Sequence, residues 1–241
     1  MLLVKVCLVR DLGLVDYREG LILQEKLLNS RKSGAISDVL LLLQHHSVFT
    51  IGRSGIVENI IVPGERLAKE GIPVFHANRG GDVTYHGPGQ LVGYPILNLR
   101  EDGLTARRYV WNLEEVVIRT LADFGIDGQR VSGQRGVWVG EGKVCALGLR
   151  VRGEVSMHGF ALNVNTNLKY FTYIIPCGIT GVSITSVSKL LGRRVELVEI
   201  EKSLLRHFSQ VFRLTLEYGE RFNKWLALSS LIGSESLSLT R

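Results

Sequence analysis

Cysteine is scarce in this chain, aromatic residues are few, and no apolar run is long. Three cysteines, an odd number without framework spacing, exclude a disulfide-stapled scaffold and suit a chain with reduced thiols. The longest apolar runs, such as "DVLLLLQ" at 38–44, are far too short to span a bilayer, so no membrane partner is expected. The opening "MLLVKVCLVRDLG" is broken by Lys5, Arg10 and Asp11 and shows neither a basic leader nor a small-residue cleavage site. No signal peptide is read there, and a cytoplasmic location is expected. Aromatics make up 7% of the chain, and no stretch interleaves them with Arg and Lys as a base-stacking platform does. Nucleic acid is therefore not expected as a partner.

What is present describes a globular protein. The 241 residues are enough for a full core, as one large domain or two unequal lobes, and 45% apolar with 22% charged content is ordinary. The net charge of +6 is spread along the chain and suits steering toward an acidic partner. Residues 14–29 place Tyr17, Leu21, Gln24 and Leu28 at helical spacing. "DVLLLLQ" and "SVFTIG" read as short buried strands, and 90–99 as another, in which Pro95 argues for an edge or a bulge. Residues 105–124 predict a helix capped by Thr105 and stopped by Gly125, with Tyr109, Leu113, Val116 and Leu121 as its stripe. "GVWVGEGKVCALGLRV" predicts a hairpin turning at 140–142, and 158–165 another strand. Helical patterns at 197–212 and about 220–231 precede a polar tail, 232–241, expected to fray. Strands grouped at hairpin spacing between helices predict an α+β fold with a mixed sheet.

Each cysteine has a different setting. Cys7 lies in an apolar strand-like run and reads as packing. Cys145 follows Lys143 by two residues, and simple alternation puts both on one face. Cys177 stands between Pro176, which holds Ile175 extended, and Gly178, which frees the backbone to turn. A thiol becomes a nucleophile only as its thiolate, which a nearby cation or histidine favours. The candidates for that neighbour are His86, His158 and Lys143; without one, Cys177 reads as a packing residue. The segment "ANRGGDVTYHGPGQLVGYP", 77–95, combines five glycines with Arg79, Thr84, Tyr85 and His86. It lacks the Gly-Lys-Ser/Thr ending of a phosphate-binding loop, so it reads either as a long turn or as a backbone-rich ligand site.

The segment "RGGDVTYHGPGQLVGYPILNL" resembles the signature of the lipoyl(octanoyl) transferase family. "VFTIGRSG", "GVWV…GKVCALGLRV" and "HGFALNVNTNLKYFTYIIPCGITGVSITSV" resemble further parts of the same pattern, in order from residue 11 to 191. The resemblance implies the fold of biotin- and lipoate-protein ligases, a mixed, largely antiparallel sheet flanked by helices. It also implies one catalytic domain over 1–241. Catalysis would fall on Cys177 as nucleophile and Lys143 as acid and base. Acyl binding would fall on Arg79, Gly80, Gly81, Asp82, Val83, Thr84, Tyr85 and His86, on Ala146, Leu147 and Gly148, and on Gly159, Phe160 and Ala161. His86 is placed as pocket lining, and Gly178 as an oxyanion donor.

The reaction implied moves an octanoyl or lipoyl group from acyl carrier protein to a lysine of lipoyl domains, through a Cys177 thioester. Octanoyl-acyl carrier protein is the expected donor. The acceptors are lipoyl domains of 2-oxoacid dehydrogenases and the glycine cleavage H protein. No cofactor and no metal are called for. One departure from the pattern is Gln44, where an acidic residue is expected. The rivals are an ATP-dependent lipoate or biotin ligase on the same fold, which has no need of Cys177, and a non-catalytic binding protein with an inert thiol.

Overall fold

The computed structural model describes residues 5–178 and 181–218, apart from the side chain of Cys177. The helix expected at 220–231 and the tail at 232–241 lie outside those residues. Strand β1 (Val6–Val15) leads to Asp16, which caps helix α1 (Tyr17–Lys32) by accepting the N–H of Arg18 at 2.8 Å and that of Glu19. The helix starts later than apolar spacing predicts, and Leu14 and Val15 belong to the strand. The aspartate fixes a boundary that periodicity cannot resolve.

Strands β2 (Asp38–His45) and β3 (Val48–Ile51) follow where they are predicted. Next come the short helix α2 (Gly64–Lys69) and strands β4 (Val74–His76), β5 (Val83–His86) and β6 (Gln90–Ile96). Thr105 caps helix α3 (Ala106–Ala122) through the Arg108 N–H, and the four stripe residues are fully buried. After β7 (Gln129–Val131), the predicted hairpin forms from β8 (Gln134–Val139) and β9 (Gly142–Arg152), turning at Gly140 with φ +55°. Strand β10 (Val155–Asn163) is followed by 3₁₀ turns at Leu168–Tyr173 and Pro176–Gly178. The remaining elements are β11 (Ser183–Ile184), α4 (Val187–Leu191), α5 (Leu197–Phe212) and β12 (Thr215–Tyr218).

Among the described residues one nine-stranded sheet runs β12-β1-β2-β6-β10-β9-β8-β7, with β11 beside β9; a small sheet runs β4-β3-β5. The pairs β12–β1, β1–β2 and β11–β9 are parallel and the other pairs of the large sheet are antiparallel. The fold is α+β with a mixed, largely antiparallel sheet flanked by helices.

β2 shows why its sequence is an unbroken apolar run. Leu40 and Leu42 face α3 and α5 on one side of the sheet, while Val39, Leu41 and Leu43 face α1 on the other. The small sheet packs its Phe49, Ile51, Val83 and Tyr85 against Phe171, Tyr173 and Ile174.

β6 is an interior strand, paired to β2 and β10, so Pro95 does not mark an edge. Its missing N–H is tolerated for a local reason. The β10–β6 ladder runs from Asn163↔Gln90 to Phe160↔Gly93 and is then interrupted until the Asn98↔Val155 bridge. The same register puts Pro95 opposite His158, whose φ of +56° marks the break in the ladder.

Candidate active site

The glycine-rich loop folds against both sheets. Buried Arg79 anchors it, donating from Nη2 to the Thr50 carbonyl (2.6 Å) and hydroxyl (2.7 Å), while the Gly80 N–H donates to the Leu149 carbonyl of β9 at 2.9 Å. A Cβ at Gly148 would meet Arg79 Cδ at 2.9 Å, so the glycine in β9 leaves room for the arginine chain.

This docking opens a pocket between the loop, β9 and β10. Its walls include every residue the resemblance assigns to acyl binding except Tyr85, together with Tyr17, Tyr94 and His158. Tyr85 turns the other way. Its ring stacks on Tyr170 at 4.9 Å and its hydroxyl meets Ser47 Oγ at 3.0 Å. Thr84, Ala146 and Ala161 also line a second, smaller cavity, whose other walls include Gln90, Asn163, Lys143 and Pro176. The two spaces therefore form adjoining chambers of one cleft.

Lys143 is 4% exposed, and its ammonium lies 4.8 Å from the centre of the Trp138 ring. Its backbone is held on both sides. Trp138 faces it across β8, and the Thr185 N–H donates to its carbonyl at 3.0 Å. Cys145 does not share its face, contrary to simple alternation. The β8–β9 register jumps from Val137↔Cys145 to Trp138↔Lys143, so a bulge falls at Val144. Val144 and Cys145 both enter the core under α3, and Lys143 shares the cavity with Ala146 instead. Burial pushes the thiols of Cys145 and Cys7 well above the usual range, so both are packing residues.

The backbone of Cys177 lies in the 3₁₀ turn Pro176–Gly178, which packs on β5; its side chain lies outside the described residues. Gly178 has φ +66°, and a Cβ there would collide with Asp82 Oδ2. Asp82 is itself held by the Asn59 side-chain amide at 2.6 Å and accepts the Val83 N–H at 2.6 Å. The Gly178 N–H donates to the Ile175 carbonyl at 3.1 Å, closing the turn. In this geometry that N–H is engaged within the turn.

Three histidines form a buried neutral cluster beside the first chamber. His86 Nδ1 meets Gln90 Oε1 at 2.8 Å; the Gln90 amide nitrogen donates to the Tyr85 carbonyl and to Asn163 Oδ1, and the Asn163 amide donates to the Thr185 carbonyl. Because both carbonyls only accept, each amide is oriented and the proton of His86 resides on Nδ1. Burial, then the neighbouring His45 and Arg79, hold His86 well below its ordinary pKa. His158, bonded through Nε2 to Asn78 at 2.6 Å, is lowered to about 3, and His45, bonded to Tyr94, to about 4, each chiefly by burial. Of the three candidate neighbours for Cys177, only Lys143 lines the chamber that Pro176 enters.

Sequence reasoning missed Tyr94, Gln90 and Asn163 as walls of the cleft. Gln90 ends the "YHGPGQ" stretch, which was its one available signal. Gln44 accepts the Gly89 N–H at 2.7 Å, a bond that a carboxylate at this position can also make. Among the described residues there is no cluster of three or more potential metal ligands, and no helix is long and apolar enough to cross a membrane.

With this geometry established, comparison with known proteins identifies its class. Lipoate-protein ligase A bound with ATP superimposes with a TM-score of 0.77 at 18% identity, covering 97% of this chain and 95% of that one. A biotin protein ligase from Aquifex aeolicus, in complex with biotin and ATP, superimposes at 0.54 and 17%, covering 85% and 70%. The fold is thus that of the lipoate- and biotin-protein ligases. Residues 16–209 match the lipoyl protein ligase A/B catalytic domain. An octanoyltransferase from Solibacter usitatus is 50% identical over 206 residues, 86% of this chain and 93% of its own length, and other octanoyltransferases match at 42–49%. The chain belongs to the lipoyl(octanoyl) transferase family.

Proposed function

We propose that this chain is an octanoyltransferase that works through a Cys177 acyl-enzyme, with Lys143 as its acid and base. The observation that carries the reading is the single chamber bounded by Lys143, by Pro176 next to Cys177, and by Ala146, Ala161 and Thr84 of the acyl-binding segments. The extent and identity of the match to octanoyltransferases support the acyl group. The whole chain acts as one catalytic unit, with octanoyl-acyl carrier protein as donor. Lipoyl domains, those of 2-oxoacid dehydrogenases and the glycine cleavage H protein, are the acceptors.

The Cys177 thiolate attacks the thioester carbonyl, the bond to the pantetheine sulfur breaks, and the Lys143 ammonium protonates the departing thiolate. Lys143, now neutral, accepts a proton from the incoming lysine amine as that amine attacks the octanoyl-Cys177 carbonyl. The amide forms, Cys177 leaves as thiolate, and the ion pair is restored. Small side chains at 146, 148, 159 and 161 suit an apolar tail. A thioester is already activated, so the transfer needs no ATP. The experiment is octanoylation of a lipoyl domain from octanoyl-acyl carrier protein without nucleotide. Transfer without ATP is expected; transfer only with ATP would replace this reading with the ligase reaction.

A further inference from the structure

Trp138 is buried at 4% exposure, yet among the described residues its indole Nε1 has no hydrogen-bond partner. A buried tryptophan ordinarily satisfies that donor, and an orphaned N–H destabilises the fold. Phenylalanine would fill much of the space without the unsatisfied group. What distinguishes the indole here is its face, which lies 4.8 Å from the Lys143 ammonium. Tryptophan offers the strongest cation–π attraction of the aromatic side chains, and the attraction grows when the cation is desolvated, as Lys143 is at 4% exposure.

The backbone enforces the contact. The bulge at Val144 brings Lys143, rather than its neighbour, opposite Trp138. On the other side Gly136, with φ +123°, lets β8 approach β9 closely: a Cβ there would collide with the Cys145 carbonyl oxygen at 2.5 Å and would stand 3.3 Å from Lys143 Cε. The Gly136 N–H is fixed by the buried Glu114 carboxylate at 3.0 Å, and Arg130 pairs with that carboxylate in turn. Ring, stem and strand are thus held from three elements.

We infer that Trp138 is a positioning residue for Lys143, holding its ammonium in the chamber by cation–π contact. The inference rests on the proposed role of Lys143 and extends it to a residue that acts through that lysine.

The test replaces the electrostatics of the ring while keeping its shape. Protein is made with 5-fluoro-, 5,7-difluoro- and 4,5,6,7-tetrafluorotryptophan, which progressively empty the ring face of negative charge, and acylation by octanoyl-acyl carrier protein is followed in single turnovers. The rate constant is expected to fall stepwise with each fluorine, reaching about tenfold for the tetrafluoro ring, at unchanged KM for the donor. The same labelling in W138F should change nothing, which separates position 138 from Trp111 and Trp225. W138F itself should lose several-fold in rate without losing thermal stability, because it removes an orphaned donor. Rates that ignore fluorination overturn the inference, as does a W138F rate loss that merely tracks lost folded protein. A parallel K143M variant with undiminished acylation would instead sink the role of Lys143, so the two failures are distinguishable.

Discussion

Gly178 lies directly against the carboxylate of Asp82, close enough that no side chain fits between them. This contact joins the glycine-rich loop to the turn that carries Cys177, two segments that are far apart in sequence. A left-handed φ of +66° adds a second reason for glycine at 178. Gly178→Ala is expected to cost about 1–2 kcal/mol in backbone strain and to push the turn off the loop. Displacement of a nucleophile by about 1 Å lowers rates roughly 10²-fold. Octanoyl transfer assayed beside a thermal melt checks this: a large rate loss with a small stability loss is expected, and full activity would show that the turn tolerates the shift.

Lys143→Ala should keep the fold and lose most of the rate. General acid–base groups contribute about 10²–10⁴-fold, and the proposed mechanism gives this lysine two proton transfers in each cycle. Stopped-flow acylation and circular dichroism together decide the point. Near-normal turnover in a folded variant would remove Lys143 from the mechanism.

The buried histidines make stability depend on pH. His45 at about 4 and His158 at about 3 lie below the ordinary value of 6.5, so the unfolded chain takes up protons first as the pH falls. Their contribution is complete above pH 6.5 and is lost from there downward, through 4 for His45 and 3 for His158. Each ring should contribute a slope of about 1.4 kcal/mol per pH unit within its window. Urea unfolding between pH 7.5 and 5, above the main carboxylate range, measures it. A flat profile there would mean that the rings titrate alike in both states.

Ala146 walls both chambers, so enlarging it should shorten the acyl chain that fits. Ala146→Leu is expected to reduce kcat/KM for octanoyl donor by roughly 10–200-fold, the range that a methylene or two commands in an apolar pocket, and to spare butanoyl donor. Competition between the two donors reads the ratio directly. An unchanged ratio would place the acyl tail elsewhere.

Much of this architecture is legible in the residues themselves. Thr105 and Gly125 bracket α3, Gly140 marks the hairpin, and the segments that line the cleft are picked out by resemblance. The failures share a cause, namely that one segment answers to another. Pro95 sits in an interior strand where the ladder to β10 is interrupted opposite it at His158, which nothing near Pro95 foretells. Cys145 faces the core because β9 bulges at Val144 against β8, and alternation along one strand cannot reveal an extra residue. The chain Thr185–Asn163–Gln90–His86 crosses three strands and a turn, so none of its spacings forms a motif. Tyr85 was grouped with its neighbours in the loop, although strand geometry turns it to the aromatic cluster behind the pocket.

The account turns on a thioester at Cys177, and an intact mass taken after mixing the protein with octanoyl-acyl carrier protein, without ATP, tests it most directly. One octanoyl adduct is predicted, removable by hydroxylamine, mapped to the peptide containing Cys177 and absent from Cys177→Ala. An adduct that persists in Cys177→Ala, or transfer to a lipoyl domain by that variant at the normal rate, would contradict the mechanism.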